Sequence, residues 1–343
     1  MKYVDDFRQA DACLAMARRI NAAAADRSYR IMEVCGTHTA AIRRFGIPAM
    51  LSSRIRLISG PGCPVCVTSD AYLRNAFRMA AEKNVTIATY PDMLRVPADG
   101  ISLQDLKAKG ADIRAINSAL EVLEMARRLR DRMVVFLAVG FETTAPATGI
   151  LVQRAYREKI RNMRVYSAHK TIPPALMSLG EDKALCLDGF LLPGHVSVVI
   201  GLEGYRSSMR SLRLPAVITG FEPLDILSAI GMIVDAARRR KAILENGYSR
   251  VVRPCGNPKA QSLLKEVFVP KDSLWRGLGV IPGSGLFLRK PYDFFDARRA
   301  FGLEEEDSHR SQDSSCLCAG VLTGKIEPLA CRHFGKQCSP QKP

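Results

Sequence analysis

The chain has 343 residues, 47% of them apolar and 24% charged, with ten cysteines and a formal net charge of +16. This excludes a disordered or fibrous polymer and supports a globular chain of two or three domains. The opening MKYVDDFRQADACLAMARRI carries acids early, unlike a signal peptide, and no apolar run reaches the roughly 18 residues of a membrane span, so a cytoplasmic protein without membrane contact is expected.

In chain order, residues 4–24 read as an amphipathic, alanine-rich helix. Short apolar runs then alternate with helical patterns. The expected strands are RIMEV (30–34), IRLIS (55–59), VTIAT (85–89), MVVFLAV (133–139), MRVYS (163–167), DGFLL (188–192) and AVITG (216–220). The expected helices cover 69–83, 118–131, 145–159 and 222–241. This alternation predicts an α/β fold: two Rossmann-like three-layer domains with parallel sheets. The boundaries fall near 132 and 245. Residues 1–132 form the first domain, 133–245 the second, and 246–343 a small cysteine-bearing lobe without the rhythm. The basic runs RRLRDR (127–132) and ARRRKA (237–242) end helical patterns, where cations complement the helix dipole. No aromatic-basic motif accompanies them, so no nucleic-acid partner is expected.

Polar or Gly/Pro signatures follow the apolar runs: CGTHT after Val34, GPGCPVC after Ser59, GFETT after Val139, AHK after Ser167, PGHVS after Leu192 and FEP after Gly220. Ligands bind at the carboxyl ends of parallel strands, so these loops are expected to line clefts. Cys35 ends a strand and precedes a helix, whose amides and dipole favour a thiolate. Such a sulfur is a soft metal ligand or a nucleophile, or else a small buried cysteine with Thr37 or Thr39 as a cap; His38 follows it closely. Cys63 and Cys66 form a C-x-x-C stiffened by Pro64. The pair suits a reversible disulfide, or half of a zinc site that would need two further ligands. His169 and His195 follow strands, and Glu142 with Thr143 and Thr144 is placed to orient a ligand. No P-loop motif is present. Cys316, Cys331 and Cys338 have spacings that suit an iron–sulfur cluster, or zinc if Cys318 and His333 join them.

MEVCGTHT, GPGCPVCVT, GFETTAPAT, SAHK, LPGHVS, GFEPLDIL, RGLGVIPGSGL and the Cys-x14-Cys-x6-Cys pattern occur in this order along nearly the whole chain. Together they resemble the signature motifs of the hydrogenase maturation factor HypD family. The resemblance implies a scaffold on which the Fe(CN)2CO group of [NiFe]-hydrogenase is assembled, not a conventional turnover enzyme. It implies a HypC-type chaperone and a HypE-type cyanide donor as partners. It also implies Cys35 as the iron ligand and Cys63 and Cys66 as a redox dithiol. Thr37, His38, Glu142, His169 and His195 would line the site, in a cleft between the two α/β domains. Cys316, Cys331 and Cys338 would be three ligands of a [4Fe–4S] cluster in an iron–sulfur lobe. The family pattern continues to a fourth cysteine beyond Cys338, whereas this sequence stops at Pro343, so the lobe reads as truncated, with Cys318 the nearest substitute. Cys255 stands where the family has Glu, and Ser69 where it has Pro. A dithiol/disulfide oxidoreductase without iron is the alternative from another class. A chaperone-binding module that no longer matures a hydrogenase is the other.

Overall fold

The computed structural model describes residues 4–303 and 317–339, apart from the side chains of Cys318 and Leu322. The described strands are β1 Tyr29–Glu33, β2 Ile55–Ser59, β3 Val85–Thr89, β4 Ile113–Ala115, β5 Met133–Gly140, β6 Met163–His169, β7 Gly189–Pro193, β8 Ala216–Thr219, β9 Leu244–Asn246, β10 Phe268–Trp275 and β11 Gly279–Leu288. They divide between two compact units. No described helix is long and apolar enough to cross a membrane.

Unit 1 comprises residues 1–63, 172–258 and 320–327. Its parallel sheet has the order β2-β1-β7-β8-β9. β1 pairs in register with β2, Tyr29 opposite Ile55 and Glu33 opposite Ser59. Side chains alternate between sheet faces. On β7, Leu191 joins a core with Ile31, Val217 and helix Pro223–Arg238, while its buried neighbours Phe190 and Leu192 take the other face. Helix Ala10–Ala23 packs Cys13, Ala17 and Ile20 into the same core as Ile226, Ile230 and Val234. The expected helix over 4–24 therefore starts at Ala10, and a separate 3-10 turn covers Asp5–Phe7.

Unit 2 comprises residues 64–171, 259–319 and 328–343, within which the parallel sheet β4-β3-β5-β6 lies. β5 shows why its sequence is apolar without a break. Val134, Phe136 and Ala138 face one core, with Leu151 and Val152 of helix Ala145–Arg157. Val135, Leu137 and Val139 face the other, with Leu73 and Phe77 of helix Asp70–Ala80. A parallel strand covered on both faces reads as one apolar run. Each such fully buried side chain contributes roughly 1.5–3 kcal/mol.

The fold class is as expected: α/β units with parallel sheets and helices on their faces. The division along the chain differs from the contiguous 1–132, 133–245 and 246–343. β1 and β2 belong with β7, β8 and β9, and β3 belongs with β5 and β6. Parallel pairing needs a crossover, and the crossover can include a whole second unit. The last hundred residues are also no separate lobe among the described residues. β10 and β11 form an antiparallel hairpin whose Phe268, Leu286 and Leu288 complete the unit 2 core beside Phe136. Pro270 and a register shift between Lys271 and Ser273 interrupt its alternation and hid it.

Candidate functional site

In unit 1 the chain leaves β1 at Glu33 and enters helix Gly36–Arg44 through an extended Cys35, which occupies the N-cap position. Cys35 is 7% exposed. Burial pushes its thiol upward, as does the nearby Glu33 charge, while the amides of His38 and Thr37 and the Thr37 hydroxyl pull it down. Those donors are ready for a thiolate, and a cation in place of the proton would offset the burial.

The glycines of GPGCPVC have a specific use here. A Cβ on Gly62 would lie 2.0 Å from the Cys35 amide nitrogen and 2.4 Å from its Cα. Only glycine allows this approach. It brings the Gly62 carbonyl to the Gly36 amide at 3.0 Å, and the Gly60 amide donates to the Glu33 carbonyl at 2.8 Å. The two loops are thus tied by main chain, and half-buried Cys63 lies beside Gly36. The unit division falls after Cys63. Exposed Cys66 belongs to a turn in unit 2, where the Thr68 hydroxyl donates to the Pro64 carbonyl at 2.8 Å. Ser69 then caps helix Asp70–Ala80, accepting from the Tyr72 amide, which gives the serine a local role at this position.

His38 is fully buried, with Nε2 at 2.9 Å from the Gly220 carbonyl. A carbonyl only accepts, so Nε2 carries the proton and Nδ1 is a bare acceptor. Nδ1 is buried and has no hydrogen-bond partner among the described residues. Burial lowers the His38 pKa to about 4, so the ring is neutral near pH 7. The Phe221 ring packs tilted against both His38 and the exposed His195, with centroids 4.7 and 4.2 Å away. Cys35, Thr37, His38, Cys63 and His195 therefore all belong to unit 1.

Sequence reasoning passed over Glu33 and Phe221. Glu33 is 1% exposed, and its carboxylate accepts from the Cys35 amide and from the Thr39 and Ser59 hydroxyls. Burial raises its pKa to about 7 against those bonds. The available signal was an acid inside the apolar run RIMEV. Phe221 lay in plain view in the FEP signature.

Unit 2 carries the other expected residues. Glu142 is buried in the turn after β5, and His169 is buried at the end of β6. His169 Nε2 lies 2.8 Å from the Thr148 hydroxyl, and burial lowers its pKa to about 4. A Cβ on Gly140 would sit 1.6 Å from the Thr144 hydroxyl, so GFETT needs its glycine to close this turn.

Cys331 and Cys338 share a turn in which the Cys338 amide donates to the His333 carbonyl at 2.9 Å. Amides of Leu317, His333 and Phe334 hold the Cys331 thiol below its ordinary value. N–H donors of this kind suit a metal-bound thiolate. Cys316 and the side chain of Cys318 lie outside the described residues. Among the described residues, no three His, Cys, Asp or Glu side chains form a metal-binding group.

The family described as "HypD: Hydrogenase formation hypA family" matches residues 11–343. The "Hydrogenase maturation factor HypD" of Azotobacter vinelandii is 44% identical over 352 aligned residues, covering 100% of this chain and 92% of the relative. The protein of that name from Rhodobacter capsulatus is 39% identical, covering 100% of this chain and 93% of its own length. The one from Escherichia coli (strain K12) is 39% identical, covering 99% of this chain and 93% of the relative. The chain belongs to the HypD family.

Proposed function

We propose that this protein is a hydrogenase maturation factor that carries iron on Cys35 while the Fe(CN)2CO group is assembled. One observation carries the reading: the Cys35 thiol is buried at a helix start, aimed at by amide donors and tied by main chain to the loop bearing Cys63. The iron group is cargo, and the chain's own residues bind and orient it. The helix amides and the Thr37 hydroxyl are the donors available to the thiolate and to anionic cyanide. His38 in its neutral form presents only the Nδ1 lone pair, so it can accept a hydrogen bond or ligate a metal and does not donate to cyanide. Oxidation of the Cys63/Cys66 dithiol to a disulfide releases two electrons and two protons, which is the redox capacity the pair adds.

A HypC-type chaperone sharing the iron and a HypE-type cyanide donor are the partners in this reading. Cys316, Cys331 and Cys338 would hold a [4Fe–4S] cluster, for which the amide donors around Cys331 are suited. When bound, the cluster supplies electrons. The test is complementation of a hydrogenase-positive host lacking its own copy of this factor. Wild type should restore active hydrogenase, and Cys35→Ala should abolish it with the protein still present. Full maturation by Cys35→Ala would overturn the proposal.

A further inference from the structure

Glu33 closes an otherwise buried strand end with a carboxylate that is 1% exposed. Burying a carboxylate is costly unless its oxygens are filled. Oε2 accepts from the Cys35 amide at 2.9 Å, Oε1 accepts from the Thr39 hydroxyl, and the Ser59 hydroxyl donates as well. The three donors belong to two pieces of unit 1, a helix with its N-cap and a neighbouring strand. Cys35 is the N-cap residue, Thr39 lies on helix Gly36–Arg44, and Ser59 ends β2 in register with Glu33 itself. The Glu33 carbonyl adds a fourth tie through the Gly60 amide at 2.8 Å. One residue thus fixes the Cys35 main chain, the helix that follows it and the entry to GPGC. An apolar side chain would stabilise a strand end equally well or better. A buried carboxyl group with its bonds directed at the surroundings of one cysteine suits a site.

We propose that Glu33 is a positioning residue for Cys35: its carboxylate sets the direction in which the thiolate is offered to the iron cargo. This rests on Cys35 being the iron ligand. Two variants separate position from charge. Glu33→Gln keeps an acceptor oxygen for the Cys35 amide, and Glu33→Ala removes it. The first readout is hydrogen exchange at the Cys35 amide in the protein alone. Losing the acceptor oxygen should speed exchange about tenfold or more in Glu33→Ala and little in Glu33→Gln. The second is infrared intensity of CN and CO bands per folded chain, after co-expression with the chaperone. It should fall about tenfold in Glu33→Ala, with at least about half retained in Glu33→Gln. If Glu33→Ala does not fold, Thr39→Val removes the Oε1 donor alone and should give a loss of about threefold. Wild-type band intensity in Glu33→Ala overturns the proposal, as does an equal loss in Glu33→Gln. Wild type without bands overturns the reading of Cys35 instead, and amide exchange then decides the role of Glu33.

Discussion

Gly62→Ala and Gly36→Ala are expected to give opposite results, although both glycines adjoin Cys35. At Gly62 the added Cβ would lie 2.0 Å from the Cys35 nitrogen, 2.2 Å from the Val34 carbonyl carbon and 2.4 Å from the Cys35 Cα. All three are main-chain atoms and cannot swing away. Ordinary contact needs about 3.5 Å, so the loop must retreat by more than about 1 Å. That breaks the 3.0 Å bond from the Gly36 amide to the Gly62 carbonyl and strains the one from the Gly60 amide. Overpacking costs about 1–3 kcal/mol and the lost bond about 1 kcal/mol, for a total of about 2–4 kcal/mol. For a unit of this size the midpoint should fall by roughly 4–16 °C. At Gly36 the nearest atoms to an added Cβ are Cys63 Cβ at 3.8 Å and the Gly62 oxygen at 3.9 Å, both ordinary contacts. Alanine is favoured over glycine in a helix, so Gly36→Ala should be neutral or stabilise by up to about 1 kcal/mol. Differential scanning calorimetry of the two variants, with the Gly36 amide followed by hydrogen exchange, tests the pair. Equal midpoints for Gly62→Ala and wild type would refute the reasoning. So would equal damage from both substitutions.

Buried His169 has a folded pKa of about 4 against about 6.5 unfolded, so the unfolded chain binds the extra proton between those values. Stability of unit 2 should therefore be full above about pH 6.5 and fall as the pH drops towards 4, by up to roughly 3 kcal/mol, with the slope reduced in His169→Gln. A slope unchanged in urea titrations of that variant would contradict this. The Asp225 side chain is 1% exposed and is bonded by Arg250 at 2.7 and 2.5 Å, so Arg250→Ala should cost about 3–5 kcal/mol by stranding a buried carboxylate. A loss below about 1 kcal/mol, measured by urea denaturation, would argue against it. Timed iodoacetamide labelling read by mass spectrometry should modify exposed Cys66, Cys186 and Cys255 well before buried Cys13 and Cys35. Cys35 labelled as fast as Cys66 would place its thiol outside the core.

The longer parallel strands were legible, most plainly β3 and β5, where burial on both faces forces an apolar run. IRLIS and VTIAT coincide with β2 and β3, and MVVFLAV differs from β5 by one residue. Short edge strands were not. β4 and β9 have three residues each, too few for a period to register. Which strand pairs with which was also hidden, because Ile31 and Met32 on β1 carry no mark of β7 as a partner. The motif loops lie at strand ends as expected, but their division was not legible: Cys35, His38, Cys63 and His195 fall in unit 1, and Cys66, Glu142 and His169 in unit 2. Gly62 was readable as a loop glycine, but its close approach to Cys35 depends on β1 and β2 pairing in register. The role of Glu33 was hidden because its donors on Cys35, Thr39 and Ser59 converge on it only once the strands and helix are assembled.

Infrared spectroscopy tests the iron-carrying role of Cys35 most directly. The protein would be purified anaerobically after co-expression with a HypC-type chaperone, the partner proposed above, in a host that makes [NiFe]-hydrogenase, as wild type and as Cys35→Ala. Wild type is expected to show the CN and CO stretching bands of the Fe(CN)2CO group, and Cys35→Ala to lack them while remaining folded. Bands at full strength in Cys35→Ala, or none in wild type, would contradict it.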